Sequence, residues 1–280
     1  MNKVILKYSK HYSPLRYPGG KSCLSEYFKN LLSKNSISNC TYVEPFAGGA
    51  GAAMKLLLLE EVDRIIINDL DQSIYAFWWA ILKKGNQFID KIRTISVNIK
   101  EWSNQKNILS NKRSTLFDRG FAAFYLNRTN RSGILDGGPI GGKEQLGKWK
   151  LNARFNKDTL IERIQTISMY SKRIQLSNLD GIELLKQTYK QKNTLVYLDP
   201  PYFYKARQLY LNHYSCSDHK KLANFLNTHP NFNWLLTYDN VEEIRKLYQK
   251  RKRKPFNITY SASETRLGKE LMIFSDILKG

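Results

Sequence analysis

The stretch TYVEPFAGGAGAAMKLLLLEEVDRIIINDLD, residues 41–71, decides the fold class. It opens with a short strand, Thr41 to Glu44, that runs into a Gly/Ala-rich turn. A helix from Ala52 to about Glu60 follows, and then a β-branched strand, Arg64 to Asn68, that ends in acid. Strand, glycine turn, helix, strand and acidic end form the βαβ signature of a doubly wound nucleotide-binding sheet. Asp69 stands 21 residues after Gly48, the spacing expected for an acid that binds the ribose hydroxyls of an adenosine-containing cofactor. There is no GxGxxG and no phosphate-binding lysine after this turn, so the pattern points to a cofactor without a phosphate chain. Gly19-Gly20-Lys21-Ser22 echoes a P-loop, but the required first glycine is Leu15 and no strand leads into it, which argues against ATP.

On the N-terminal side lie a loop, SPLRYPGGKS, and a helix from about Leu24 to Ser33. On the other side the character changes between Ile74 and Arg173, where a helical beginning gives way to a basic segment rich in Asn, Arg and Gly. Its centre, FYLNRTNRSGILDGGPIGG, contains Asp136-Gly137-Gly138-Pro139, a turn signal compatible with a hairpin or an irregular loop. The α/β rhythm then returns with strands at Thr194–Leu198, Trp234–Tyr238 and Glu270–Phe274 and a helix over Asp218–Leu226. The expected organisation is one α/β domain, residues 1–73 and 174–280, interrupted by an insert at 74–173.

One of these strands ends in Asp199-Pro200-Pro201-Tyr202, at the carboxyl edge where open α/β sheets bind ligands. Two prolines fix φ and remove two N–H donors, so the turn is rigid and its carbonyls are free to accept. A carboxylate, a fixed carbonyl and an adjacent aromatic face suit a planar ring bearing an NH₂: Asp199 and the Pro200 carbonyl each accept one amino hydrogen and Tyr202 stacks. The plainer alternative is a Pro-Pro strand stop.

The chain has 280 residues, with 45 Lys plus Arg against 24 Asp plus Glu, a formal charge of +21. Such a charge implies a polyanionic partner, because cations at a phosphate backbone gain free energy by releasing counterions. Hydrophobic residues make up 42%, which excludes wholesale disorder. The longest apolar run, Ile74 to Leu82, is too short for a membrane span, and the first residues do not read as a signal peptide. Three cysteines with no CxxC pair argue against a disulfide scaffold or zinc finger and fit the cytoplasm. His213, Cys216 and His219 lack a fourth ligand, so no metal is expected.

Together these residues resemble the Dam-type, alpha-group adenine-N6 DNA methyltransferases. PLRYPGGKSCL looks like the family's motif ten, VEPFAGGAG like motif one, NDLD like motif two, DPPY like the catalytic motif four and SETRLGKELMIF like the closing motif. Motif one departs from the family pattern with Ala50 in its last position, and Asp180 is followed by Gly181-Ile182 where an aromatic is usual. The resemblance implies a Rossmann-like sheet that uses S-adenosylmethionine, with a mainly helical target-recognition insert. It also implies base flipping and transfer to the adenine amino nitrogen in double-stranded DNA. Cofactor contacts are then expected at Tyr17, Lys21, Glu44, Phe46, Gly48, Asp69, Asp180 and Asp199, and catalysis at Asp199, Pro200, Pro201 and Tyr202.

DNA contacts are expected at Arg16, Asn127, Arg128, Asn130, Arg131 and Ser132, because arginine forks read guanine and asparagine reads adenine. Phosphate contact or turn capping is the alternative for each. Lys250 to Lys254 reads as a solvated or phosphate-facing loop. A cognate restriction endonuclease and a monomer or weak dimer complete the expectation. A cytosine-N4 methyltransferase and a catalytically silent DNA-binding module are the competing readings.

Overall fold

A computed structural model describes residues 12–16, 21–203, 214–261 and 265–280. Along its central strands, side chains alternate between two apolar layers. Tyr42, Ile65, Ile67, Leu195, Tyr197 and Leu235 enter one layer. Val43, Ile66, Val196, Leu198, Leu236 and Tyr238 enter the other. Period-two alternation with both faces apolar is what a strand covered by helices on both sides requires. The strands are β1 (Thr41–Glu44), β2 (Arg64–Asn68), β3 (Ile174–Ser177), β4 (Thr194–Leu198), β5 (Trp234–Asp239), β6 (Lys252–Ser261) and β7 (Thr265–Phe274). They form one sheet in the order β3-β2-β1-β4-β5-β7-β6. All neighbours pair in parallel as far as β5, and β7 runs antiparallel to both β5 and β6. The order reverses between β1 and β4, and the carboxyl ends of these two strands flank the crevice where doubly wound sheets bind ligands. The fold is therefore the Rossmann-like α/β sheet expected.

The first layer is covered by α1 (Ser25–Lys34), α2 (Gly51–Leu58), α3 (Gln72–Lys83), α4 (Gly85–Thr94), α5 (Ile99–Ser110), α6 (Leu116–Thr129) and α7 (Lys157–Met169). The second is covered by α8 (Gly181–Thr188), α9 (Cys216–Thr228) and α10 (Glu242–Leu247). Several helices start where a short polar side chain caps them. Asp71 accepts from Ser73 N, Thr115 from Asp118 N and Asn156 from Thr159 N, and Ser215 forms a reciprocal box with Asp218.

The segment between β2 and β3 is mainly helical, with an irregular stretch from Asn130 to Asn156, and its core is continuous with that of the sheet. Ile74, Phe77 and Trp78 share one apolar cluster with Met54 and Ile65. The boundary expected at residue 74 thus falls inside α3. A helix following β2 must cover the sheet before anything can be inserted. The glycine-rich centre forms a loop closed by a single antiparallel bridge between Asn130 and Pro139. Lys252 to Lys254, read from sequence as loop, open the edge strand β6 and are exposed. Lysine on an edge strand blocks pairing with other chains. Among the described residues no helix is long and apolar enough to cross a membrane.

The α3–α6 contact depends on Gly120, where an added Cβ would lie 2.3 Å from the Ala76 carbonyl oxygen. Backbone cannot yield as a side-chain tip can, so Gly120→Ala must push the helices apart. We expect it to destabilise the protein by about 1–3 kcal/mol, read as a lower midpoint in denaturant unfolding.

Candidate active site and nucleic-acid face

Asp199 leaves the end of β4 and is gripped at both carboxylate oxygens. Lys21 Nζ donates to Oδ2 at 2.9 Å, while Thr237 Oγ1 and Tyr202 OH donate to Oδ1 at 2.8 and 3.2 Å. Lys21 also donates to Tyr202 OH at 2.9 Å and lies 3.8 Å from Glu270 on β7. Lys21 is buried and its neighbour Glu270 fully so. The Pro-Pro turn is tied back to the sheet because Phe203 N donates to Asp239 at the end of β5. Burial, with the Asp199 charge second, holds the Tyr202 phenol well above its ordinary pKa, so it remains a donor. Pro200 and Tyr202 are buried, and Asp199 and Pro201 are half-buried.

A second cluster forms where β1 and β2 end. Asp69 accepts from Gly48 N at 2.8 Å and from Asp71 N at 2.9 Å, which pins the glycine turn to β2. Gly48 has a φ of 49°, in the left-handed region that glycine tolerates. Its carbonyl accepts from Trp78 Nε1 of α3 at 2.9 Å. Glu44 is buried and accepts from Tyr42 OH at 3.0 Å and from Ala53 N at 3.1 Å. Desolvation raises the Glu44 pKa to about 8 and that of Asp69 to about 7, against the pull of their hydrogen bonds.

Phe46 packs so closely on α8 that a Cβ on Gly181 would lie 2.4 Å from its ring. Glycine after Asp180 therefore makes room for the aromatic of motif one. Asp180 itself is exposed and caps α8 by accepting from Ile182 N. Tyr17 and His213 lie outside the described residues.

The six expected DNA contacts separate into two groups. Asn127 is buried and spends its amide on the backbone of Arg16, accepting from N at 2.7 Å and donating to O at 2.6 Å, and also on Gly133 O. Asn130 is equally buried, accepting from Trp102 Nε1 and donating to Ile134 O and Leu135 O. In this conformation neither amide is available to a base edge; they shape the loop instead. Ser132, half-buried at φ 56°, forms its bend. Arg131 is exposed, and Arg16 and Arg128 are half-buried.

Arg128 is surrounded by like charge. It donates to the Arg154 and Pro14 carbonyls. Burial first, and then Arg163, Arg16 and Arg154, lower its pKa to about 9. Arg163 donates to Ser13 O, and among the described residues its buried Nε has no partner. Among the described residues none of these four guanidiniums forms an ion pair with a carboxylate.

The family model for D12 class N6 adenine-specific DNA methyltransferases matches residues 17–264 of this chain. The chain belongs to that family. It is an adenine-specific DNA methyltransferase, so its substrates are DNA and a methyl donor. Its relatives include the type II methyltransferase M.CviBI of Paramecium bursaria Chlorella virus NC1A, 24% identical over 84% of this chain and 85% of the relative. M.MjaIII, a type II methyltransferase of Methanocaldococcus jannaschii, is 23% identical over 67% of this chain and 68% of its own. A solved structure described as an RNA methyltransferase, from Pyrococcus horikoshii, aligns with a TM-score of 0.42 and 12% identity over 93% of this chain and 85% of that one. That likeness bears no weight in the assignment.

Several residues of the candidate site carry weaker sequence signals. Thr237, Asp239 and Glu270 are buried polar residues inside otherwise apolar strands, and that contrast is the signal that finds them. Asn68 is buried too, donating to the Pro45 and Leu179 carbonyls and accepting from Ser177 Oγ and Leu179 N, so it staples the turn after β1 to the end of β3. Arg154 and Arg163 lie outside the motif and could be placed only by the fold.

Glu44 and Asp69 give the site a pH signature. Both keep their proton to a higher pH when folded than unfolded, where carboxyls titrate near ~4. Between those limits the folded state binds more protons at these two groups, so their contribution to stability is fully present below about pH 4 and is lost as pH rises toward about 8. Glu44→Gln, which keeps an acceptor without the charge, is expected to flatten this fall in melting temperatures measured from pH 5 to 9.

Proposed function

We propose that the protein transfers the methyl group of S-adenosylmethionine to N6 of an adenine flipped out of duplex DNA. The observation that carries this reading is the clamped carboxylate of Asp199 at the carboxyl end of β4, next in the sheet to the glycine turn that follows β1. The donor set fits the cofactor. Each Asp69 oxygen already accepts one backbone N–H and retains capacity for a ribose hydroxyl. Phe46 offers a flat face, and Glu44, Gly48, Asp180 and Lys21 complete the proposed binding set. S-adenosylmethionine supplies an electrophilic methyl group on a sulfonium.

On this reading Asp199 and the Pro200 carbonyl accept the two amino hydrogens, Tyr202 supports the ring, and the nitrogen lone pair is left to attack. Orientation, rather than a strong base, supplies the acceleration. Nucleoside mass spectrometry of unmethylated plasmid incubated with enzyme and S-adenosylmethionine should find N6-methyladenine, absent with Asp199→Ala. N4-methylcytosine, or N6-methyladenine formed by Asp199→Ala at the wild-type rate, sinks the mechanism.

We also assign target recognition to residues 74–173 and DNA phosphate binding to the cluster of Arg16, Arg128, Arg154 and Arg163. A cluster of guanidiniums that, among the described residues, pairs with no carboxylate is suited to an anion, and the chain's charge of +21 supports the same partner. Exposed Arg131, half-buried Ser132 and the loop shaped by Asn127 and Asn130 lie alongside. The enzyme is read as a monomer or weak dimer with a cognate restriction endonuclease as its proposed counterpart. Arg154→Ala should reduce the slope of log Kd against log salt by about 0.9, with equal weakening on specific and nonspecific duplexes. An unchanged slope removes Arg154 from the phosphate contacts.

A further inference from the structure

Behind Asp199 the sheet holds a short directional chain of hydroxyls. Tyr197 OH on β4 and Thr237 Oγ1 on β5 are 2.8 Å apart. Thr237 Oγ1 is 2.8 Å from Asp199 Oδ1. Tyr197 and Thr237 are 2% and 0% exposed, so each hydroxyl depends on partners inside the protein. An ionised carboxylate only accepts, so the single Thr237 proton is committed to Asp199 and its oxygen is left to accept from Tyr197. Burial and the nearby Asp199 charge hold the Tyr197 phenol well above its ordinary pKa, consistent with a permanent donor.

The acceptor count then becomes specific. A carboxylate offers about four acceptor positions. Oδ1 uses two, for Thr237 and Tyr202, and Oδ2 uses one, for Lys21. Among the described residues the position left over is on Oδ2. We infer that Thr237, backed by Tyr197, is a positioning residue that fixes the Asp199 carboxylate so that Oδ2 is the oxygen that receives the amino hydrogen of the substrate. Tyr202 and Lys21 belong to the turn and to the N-terminal segment. Thr237 and Tyr197 belong to central strands, so they are the part of the grip that the sheet itself holds rigid. The inference rests on the reading of Asp199 as the acceptor for the amino group.

The test is steady-state methylation of a duplex substrate by wild type, Thr237→Val, Thr237→Ser and Tyr197→Phe, with cofactor affinity measured by calorimetry and folding by thermal melts. Valine keeps the shape and removes the hydroxyl. We expect kcat to fall about 10- to 100-fold in Thr237→Val, as misplacement of a reacting group demands, with KM for DNA and cofactor affinity nearly unchanged. Serine should restore most of kcat, and Tyr197→Phe should show a smaller loss of the same kind. Full kcat in Thr237→Val, or equal loss with valine and serine, overturns the inference. If Thr237→Val fails to fold, Tyr197→Phe with wild-type kcat overturns it instead. A wild-type enzyme that forms no N6-methyladenine defeats the Asp199 reading itself, and is thereby distinguishable from failure of this step alone.

Discussion

The ion pair between Lys21 and Asp199 joins points 178 residues apart, and much of the site is arranged around it. Lys21 begins a short helical turn that leads into α1, whereas Asp199 closes a central strand. Burying a cation there is tolerable because two carboxylates, Asp199 and Glu270, face it. A pair of this kind contributes little net stability once desolvation is counted, and more to specifying a single geometry. That geometry includes Tyr202, whose hydroxyl accepts from Lys21 and donates to Asp199. The turn that begins at Lys21 is therefore part of the carboxyl end of the sheet where Asp199 stands, although it lies outside the βαβ unit in sequence.

The glycine turn after β1 is held in a different way, by hydrogen bonds between backbone groups and side chains. Asp69, Asn68 and Trp78 each bond to the turn or to the residues beside it. Trp78 lies on the first helix beyond β2, so the turn and the long helical segment share a hydrogen bond as well as an apolar layer. High carboxyl pKa values at Glu44 and Asp69 reflect the same enclosure, since burial disfavours the charged form.

The basic face shows how one motif can serve two purposes. Within Asn127-Arg128-Thr129-Asn130-Arg131 the asparagines face inward to backbone partners, while Arg131 is exposed and Arg128 joins a cluster of arginines. Gly133 at φ 78° lets the loop pass close to the Arg16 carbonyl, which an added Cβ would approach to 2.7 Å. Shape is thus built by amides and charge is delivered by guanidiniums.

The βαβ unit, the strand before Asp199 and the acid Asp69 at the end of β2 were legible in the chain because each depends on local signals. Alternating apolar residues, a glycine turn and an acid at fixed spacing declare themselves within thirty residues or so. The strand β3 and the edge strand β6 were not legible: Ile-Gln-Leu-Ser is too short and mixed, and Lys-Arg-Lys at an edge has the composition of a loop. The fate of Asn127 and Asn130 was likewise decided only in three dimensions, because an asparagine amide bonds equally well to a base or to a carbonyl. So was the grip on Asp199, whose partners Lys21, Thr237 and Tyr202 come from three places in the chain. Sequence by itself determined which chemical groups stand at strand ends, since that follows from short-range periodicity. Tertiary structure decided which of them are free to act, since a polar group's role depends on whether burial has already given it a partner.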